Sequence, residues 1–86
     1  MISVIWNLKD RTLSFDGHAD DSTVCAAISI LVSTLYVGYG GHAPPGSGDY
    51  IYDALDTDSP AVDFVCRAVR ILEFKHSGEI RYSEVA

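Results

Sequence analysis

The spacing of apolar residues changes period along this chain, and that change limits the folds open to it. Near the start, Ile2, Val4, Trp6 and Leu8 alternate with Ser3, Ile5 and Asn7. Alternation with a period of two is typical of a strand that buries one face. After the polar turn 9–11, the alternation returns over Thr12–Asp16. The two runs predict an antiparallel hairpin.

From Val24 the apolar residues are spaced by three and four instead, at Val24, Ile28, Leu31 and Leu35. This spacing predicts an amphipathic helix. Four consecutive residues ahead of it are suitable N-caps, namely Asp20, Asp21, Ser22 and Thr23. Glycines at positions 38, 40 and 41 are expected to end the helix.

The second half of the chain predicts three more elements. A third strand is expected over Asp49–Leu55 and a turn over 56–58. Ser59 followed by Pro60 is a favourable helix start, and a second helix then extends to Lys75 and His76, which suit its negative end. A final strand contains Ile80 and Tyr82. The order ββαβαβ predicts an α+β fold, with a single mostly antiparallel sheet and two helices packed on one face.

Length and charge limit the function. With 86 residues and a net charge of −6, one acidic domain over 1–86 is expected. The six basic residues are scattered, so nucleic acid is an unsuitable partner. The N-terminus lacks the features of a signal peptide, and no apolar stretch is long enough to span a membrane. We therefore expect a cytoplasmic protein with no membrane partner.

The two cysteines, Cys25 and Cys66, are too few for a disulfide framework and lack zinc-site spacing. No metal or cofactor is expected. Cys66 falls among the apolar residues of the second helix, and we interpret it as a core thiol.

Cys25 lies in the first turn of the first predicted helix, where free N–H groups and the helix dipole favour a thiolate. His18 lies at the end of the strand that leads into this helix, and Gly17 before it permits a sharp turn. A nucleophile–base pair is therefore sterically reasonable. Ser29 lies one helical turn beyond Cys25 on the same face. On these features alone, a buried Cys25 and an ordinary loop His18 remain the commoner alternative.

The amino-acid sequence of the segment 17–29 also resembles that of a known protein family. Gly17–Ala19, a short polar loop and then Val24–Ser29 (Val-Cys-Ala-Ala-Ile-Ser) resemble the ribosomal-processing cysteine protease family, Prp. The resemblance implies Cys25 as the nucleophile, His18 as its base, and Ser29 and Gly17 as supporting residues. It also implies a cytoplasmic homodimer that removes an N-terminal extension from a large-subunit ribosomal protein or a similar peptide.

Two features mark this chain as a divergent member of that family. The segment between His18 and Cys25 is shorter than is usual, and Ser22 stands where the family usually has Asp. Asp21, one position earlier, is then free to cap the helix. If the chain is an enzyme, the backbone N–H groups of Val24 and Cys25 are candidates to bind the oxyanion.

Three functions therefore stay open. The first is a cysteine endopeptidase. The second is a non-catalytic dimeric domain that captures a peptide at an exposed sheet edge. The third is a structural subunit in which Cys25 is buried and unreactive.

Residues outside this segment have simpler interpretations. His42, in a second Gly-His-Ala at 41–43, lies beyond the far end of the first helix and is interpreted as a loop residue. Four tyrosines are expected at the sheet surface or an interface: Tyr36, Tyr39, Tyr50 and Tyr52.

Overall fold

The order of strands and helices agrees with the sequence prediction. The structure, a computed structural model, describes residues 1–40, 50–54 and 59–86. Its elements are β1 (Ile2–Asn7), β2 (Thr12–Gly17), α1 (Ser22–Gly38), β3 (Tyr50–Asp53), α2 (Ser59–Lys75) and β4 (Ile80–Val85). Leu8, which the alternation assigned to the first strand, follows the end of β1 and is exposed. His42, the predicted strand ends Asp49 and Leu55, and the turn 56–58 lie outside the described residues.

The four strands form one sheet in the order β3-β2-β1-β4. β1 pairs antiparallel with β2, and β2 pairs antiparallel with β3. β4 joins the other side of β1 in parallel. The mostly antiparallel sheet of the α+β prediction is therefore confirmed. Because Ile2 lies opposite both Gly17 and Ile80, the end of β2 and the start of β4 lie at the same end of the sheet.

Both helices cover one face of this sheet, as predicted. Alternate strand residues turn towards the helices and are buried, which is the expected result of the two-residue period. They are Ile2, Val4, Trp6, Leu13, Phe15, Tyr52 and Ile80. They join the buried residues of α1 and α2 in one hydrophobic cluster. The residues between them, such as Ser14 and Ile51, belong to the uncovered face.

α1 begins directly after one of the four predicted N-cap residues. Asp21 is the N-cap, and its Oδ1 accepts a hydrogen bond from the Thr23 N–H at 2.8 Å. The bond satisfies one of the amide groups that every helix start leaves free. α2 begins at Ser59 and Pro60 and extends to Lys75.

The outer surface of the helix layer is unusually apolar. α1 carries no charged side chain in its 17 residues. The outer helix face, defined here as Ile30, Val37, Phe64, Ile71 and Phe74, is exposed, and Phe74 reaches 88%. A helix that packs on one side only usually has polar residues on the other. This face is therefore suited to contact with another molecule.

Helix side chains also reach both edges of the sheet. The Tyr36 hydroxyl donates to the Ile51 carbonyl of β3, and Glu73 accepts a hydrogen bond from the Tyr82 N–H of β4 at 3.0 Å. Such bonds occupy main-chain groups that an edge strand would otherwise offer to another strand. The surface prediction is wrong for Tyr36 and Tyr52, which are buried with their rings 5.4 Å apart. Tyr36 continues the buried stripe of α1 and so faces the sheet.

No helix in the described ranges is both long enough and apolar enough to cross a membrane.

Candidate active site

The candidate site starts at Gly17, the last residue of β2. Its φ of +96° lies in a region that residues with a side chain rarely adopt. A Cβ at this position would also strike the Met1 carbonyl oxygen. Glycine is therefore required here for two separate reasons, and it turns the chain away from the sheet. His18 follows immediately and is exposed.

Cys25 lies half-buried in the first turn of α1, as predicted. Its Sγ donates a hydrogen bond to the Ala19 carbonyl oxygen at 3.3 Å. Within the part of the chain that the structure describes, no hydrogen bond joins Cys25 to His18. The thiol is thus bonded to the loop that connects β2 to α1.

The amide groups at the start of α1 are not all free. The Cys25 N–H donates to the Asp21 carbonyl at 3.2 Å, and the Thr23 N–H is bonded to the Asp21 side chain. For the Val24 N–H, the described residues supply no hydrogen-bond partner. Of the two predicted oxyanion donors, Val24 therefore has a free N–H in this arrangement, whereas that of Cys25 belongs to the helix.

Ser29 lies one turn further along α1 and is exposed. It lines a shallow, open depression on the helix surface together with Ile30, Ser33, Thr34, Val37 and Gly38. Among the described residues, none is hydrogen-bonded to the Ser29 hydroxyl. The structure thus places Ser29 beside the apolar outer helix face, near enough in sequence to Cys25 to share its side of the helix.

Two residues at this site were missed by the sequence analysis. Glu79, in the turn between α2 and β4, accepts hydrogen bonds at Oε2 from the Asp20 N–H at 2.8 Å and from the Asp21 N–H at 3.5 Å. His76 Nδ1 lies 3.7 Å from Asp21 Oδ2. We interpreted His76 from sequence as a partner of the helix end only. Both contacts require the start of β4 and the end of β2 to lie at the same end of the sheet, on either side of β1, which local sequence patterns do not reveal.

The second cysteine is remote from this chemistry. Cys66 is buried in α2, which confirms it as a core thiol. Burial raises the pKa of the Cys66 thiol, and the nearby Glu84 carboxylate adds to the rise, while a contact with the Tyr82 hydroxyl opposes it. Burial also raises the pKa of Tyr82. Cys66 is therefore kept neutral, and it lines a separate cavity of about 220 Å³ together with Trp6, Arg11 and Tyr82.

No cluster of three or more His, Cys, Asp or Glu side chains in the described ranges has a geometry that could hold a metal ion.

Comparison with known proteins gives a match in fold. No family model matches this chain, and no curated protein does. Among solved structures, it is similar to an essential ribosomal processing protease, Prp, from S. aureus, in complex with a covalently linked product peptide. The match covers 98% of this chain and 99% of that chain, with a TM-score of 0.67 and 19% sequence identity. The chain therefore shares its fold, over almost its whole length, with a ribosomal processing protease.

Proposed function

We propose that this protein is a divergent cysteine endopeptidase of the Prp type. The observation that carries the proposal is the position of Cys25: a half-buried thiol at a helix start, beside the free Val24 N–H and just after the exposed His18. These residues lie in a chain that shares its fold with a protease solved with a covalently linked product peptide. A helix-start thiol with a histidine nearby is a suitable nucleophile for acyl transfer.

The first half of the reaction forms an acyl-enzyme. The Cys25 thiol leaves the Ala19 carbonyl and gives its proton to His18. The thiolate then attacks the carbonyl carbon of the peptide bond, and the Val24 N–H donates to the oxyanion that develops. As the intermediate collapses, the C–N bond breaks and the departing amine takes the proton from His18.

The second half releases the product. Water gives a proton to His18 as its oxygen attacks the thioester carbon, which forms a second tetrahedral intermediate. Breakage of the C–S bond leaves a new carboxyl terminus on the peptide. The proton on His18 then returns to Cys25. Gly17 and Ser29 support this chemistry indirectly. Gly17 forms the turn that places His18. Ser29 acts from the next turn of α1, beyond Cys25.

The substrate that we propose is the N-terminal extension of a large-subunit ribosomal protein, or a similar peptide, cut in the cytoplasm. We also propose that the protein works as a homodimer. The uncharged α1 and the exposed outer helix face support this assembly, because apolar surface of this kind is usually covered.

The test is the pH dependence of Cys25 alkylation by iodoacetamide, with Cys66→Ala as the common background. At each pH below 8, labelling should be markedly slower in His18→Ala than in its parent. Labelling that ignores His18 would contradict the proposal. A ribosomal protein with its extension, incubated with active protein and with Cys25→Ala, then shows by mass spectrometry whether a bond is cut.

A second candidate is the non-catalytic peptide-binding domain. The bond from Cys25 Sγ to Ala19 favours it, because the thiol is then paired with the backbone and not with a base. In that case the extension peptide would bind without cleavage, and Cys25→Ala would bind it as tightly as the wild type.

A further inference from the structure

We infer that Glu79 is a positioning residue for Cys25: its carboxylate holds the loop 18–21 so that the Ala19 carbonyl stays bonded to the Cys25 thiol and withholds it from His18. The inference rests on the proposed function only in treating Cys25 as the nucleophile. It assigns a resting arrangement of the site and the residue that maintains it.

The first step is the hold on the loop. Glu79 Oε2 accepts from two consecutive backbone amides, those of Asp20 and Asp21, at 2.8 and 3.5 Å. These amides immediately follow Ala19, whose carbonyl accepts from Cys25 Sγ. A carboxylate that accepts backbone N–H bonds forms stronger hydrogen bonds than a neutral acceptor. The position of the Ala19 carbonyl therefore depends on Glu79.

The second step is that Glu79 is itself fixed. Its N–H donates to the His76 carbonyl at 3.0 Å, and its carbonyl accepts from the Ile2 N–H at 2.9 Å. The residue is thus bonded on one side to the end of α2 and on the other to the central strand β1. Such an anchored carboxylate can restrain a loop, whereas one on a free chain end could not.

The third step concerns the thiol. A carbonyl oxygen accepts a hydrogen bond from an S–H group but has no proton to offer a thiolate. While this bond is made, Sγ is occupied by the Ala19 carbonyl and is not available to His18. Movement of the loop releases Sγ to His18.

The experiment measures the iodoacetamide labelling rate of Cys25 at pH 7.5 by intact-protein mass spectrometry. Glu79→Ala removes the acceptor, and we expect labelling about tenfold faster than in the wild type, the effect of losing hydrogen bonds to a charged group. Glu79→Gln keeps a neutral acceptor oxygen at the same reach and should bring the rate most of the way back to the slow wild-type value. If Glu79→Gln labelled as fast as Glu79→Ala, the charge and not the hydrogen bonds to the loop would set the rate, and the inference would be wrong.

A matched control is Glu73→Ala, since Glu73 also accepts a backbone N–H, from Tyr82, but lies away from the loop. Its Cys25 labelling should equal that of the wild type. Cys66 is an internal control, because it is buried and is labelled only if the whole domain opens. If Glu79→Ala exposes Cys66, Glu79→Asp replaces it, with a side chain too short to keep both bonds.

The result that overturns the inference is a labelling rate in the folded variant that is unchanged or slower. Comparing the protein that keeps Glu79 with Glu79→Ala once more, now with both carrying His18→Ala, separates the protease proposal from the inference about Glu79. Failure of the protease proposal leaves His18→Ala without effect, but the acceleration by Glu79→Ala persists. Failure of the present inference leaves a His18 effect and no Glu79 effect.

Discussion

At the scale of single residues, three glycines of this protein differ in what a methyl group would encounter. Gly17 has a φ of +96°, and a Cβ there would collide with backbone atoms. Gly78 has a φ of +92°, but a Cβ there would meet no other atom. Gly38 has neither constraint. A side chain at Gly17 therefore meets both strain and a clash, one at Gly78 meets strain alone, and one at Gly38 meets neither.

We expect Gly17→Ala to lower the free energy of unfolding by about 2 kcal/mol or more, and Gly78→Ala by about 1 kcal/mol. Gly38→Ala should be neutral or stabilise by up to about 1 kcal/mol, because alanine restricts the unfolded chain. Urea denaturation of the three variants measures the order. If Gly17→Ala were as stable as Gly38→Ala, the turn that places His18 would differ from the one described.

The buried Cys66 gives a prediction for alkaline solution. Burial raises the pKa of this thiol, so the native state binds the proton more tightly than the unfolded chain does. The resulting stability is fully present below about pH 8.5, the ordinary thiol pKa, and falls above it by at most about 1.4 kcal/mol per pH unit. Cys66→Ala should lose less stability than the wild type between pH 7.5 and 9.5. Equal losses in urea titrations would contradict the assignment.

At the scale of elements, the start of α1 depends on one side chain. Asp21→Ala removes the acceptor for the Thr23 N–H and should cost about 1 kcal/mol of stability. Asp21→Asn keeps an acceptor oxygen and should recover most of that loss. Asp20→Ala is the matched control, because Asp20 contributes its backbone N–H and not its carboxylate to the contacts described. Thermal unfolding followed by circular dichroism compares the three variants. Equal melting temperatures for Asp21→Ala and Asp20→Ala would show that the Asp21 side chain does not stabilise the start of α1.

The elements also separate what the sequence could predict from what it could not. The strands β1 and β2, the cap at Asp21 and the helix start at Ser59 depend on neighbouring residues, so their patterns are local. The prediction put Tyr36 at the surface because tyrosine occurs both at surfaces and in cores. Its burial depends on which side of α1 the sheet covers, and the sequence does not give that side. Glu79 was missed because its partner Asp20 is 59 residues away. That contact depends on β4 pairing with β1, which no local pattern encodes.

At the scale of the whole molecule, the apolar outer helix face predicts self-association. Ile30 and Ile51 match in residue type and are similarly exposed, at 67% and 64%, but Ile30 belongs to the helix layer and Ile51 to the uncovered side of the sheet. If the proposed homodimer uses the outer helix face, Ile30→Lys should yield monomers because the lysine charge would be buried at the interface. Ile51→Lys should leave the dimer intact. Sedimentation velocity at several concentrations distinguishes them, and a dimer that survives only Ile30→Lys would assign the interface to the sheet.

The central place of β1 affects the order in which a growing chain can complete this fold. β1 and β2 can pair as soon as both have left the ribosome, but the other side of β1 waits for β4, which is made after the other three described strands. Pairing between such distant segments is slow, because a long loop must close first. Glu79 lies directly before β4, so it reaches the loop 18–21 only at that late stage. A nascent chain therefore carries Cys25 over more than fifty further residues of synthesis before Glu79, the residue proposed to restrain it, has been made.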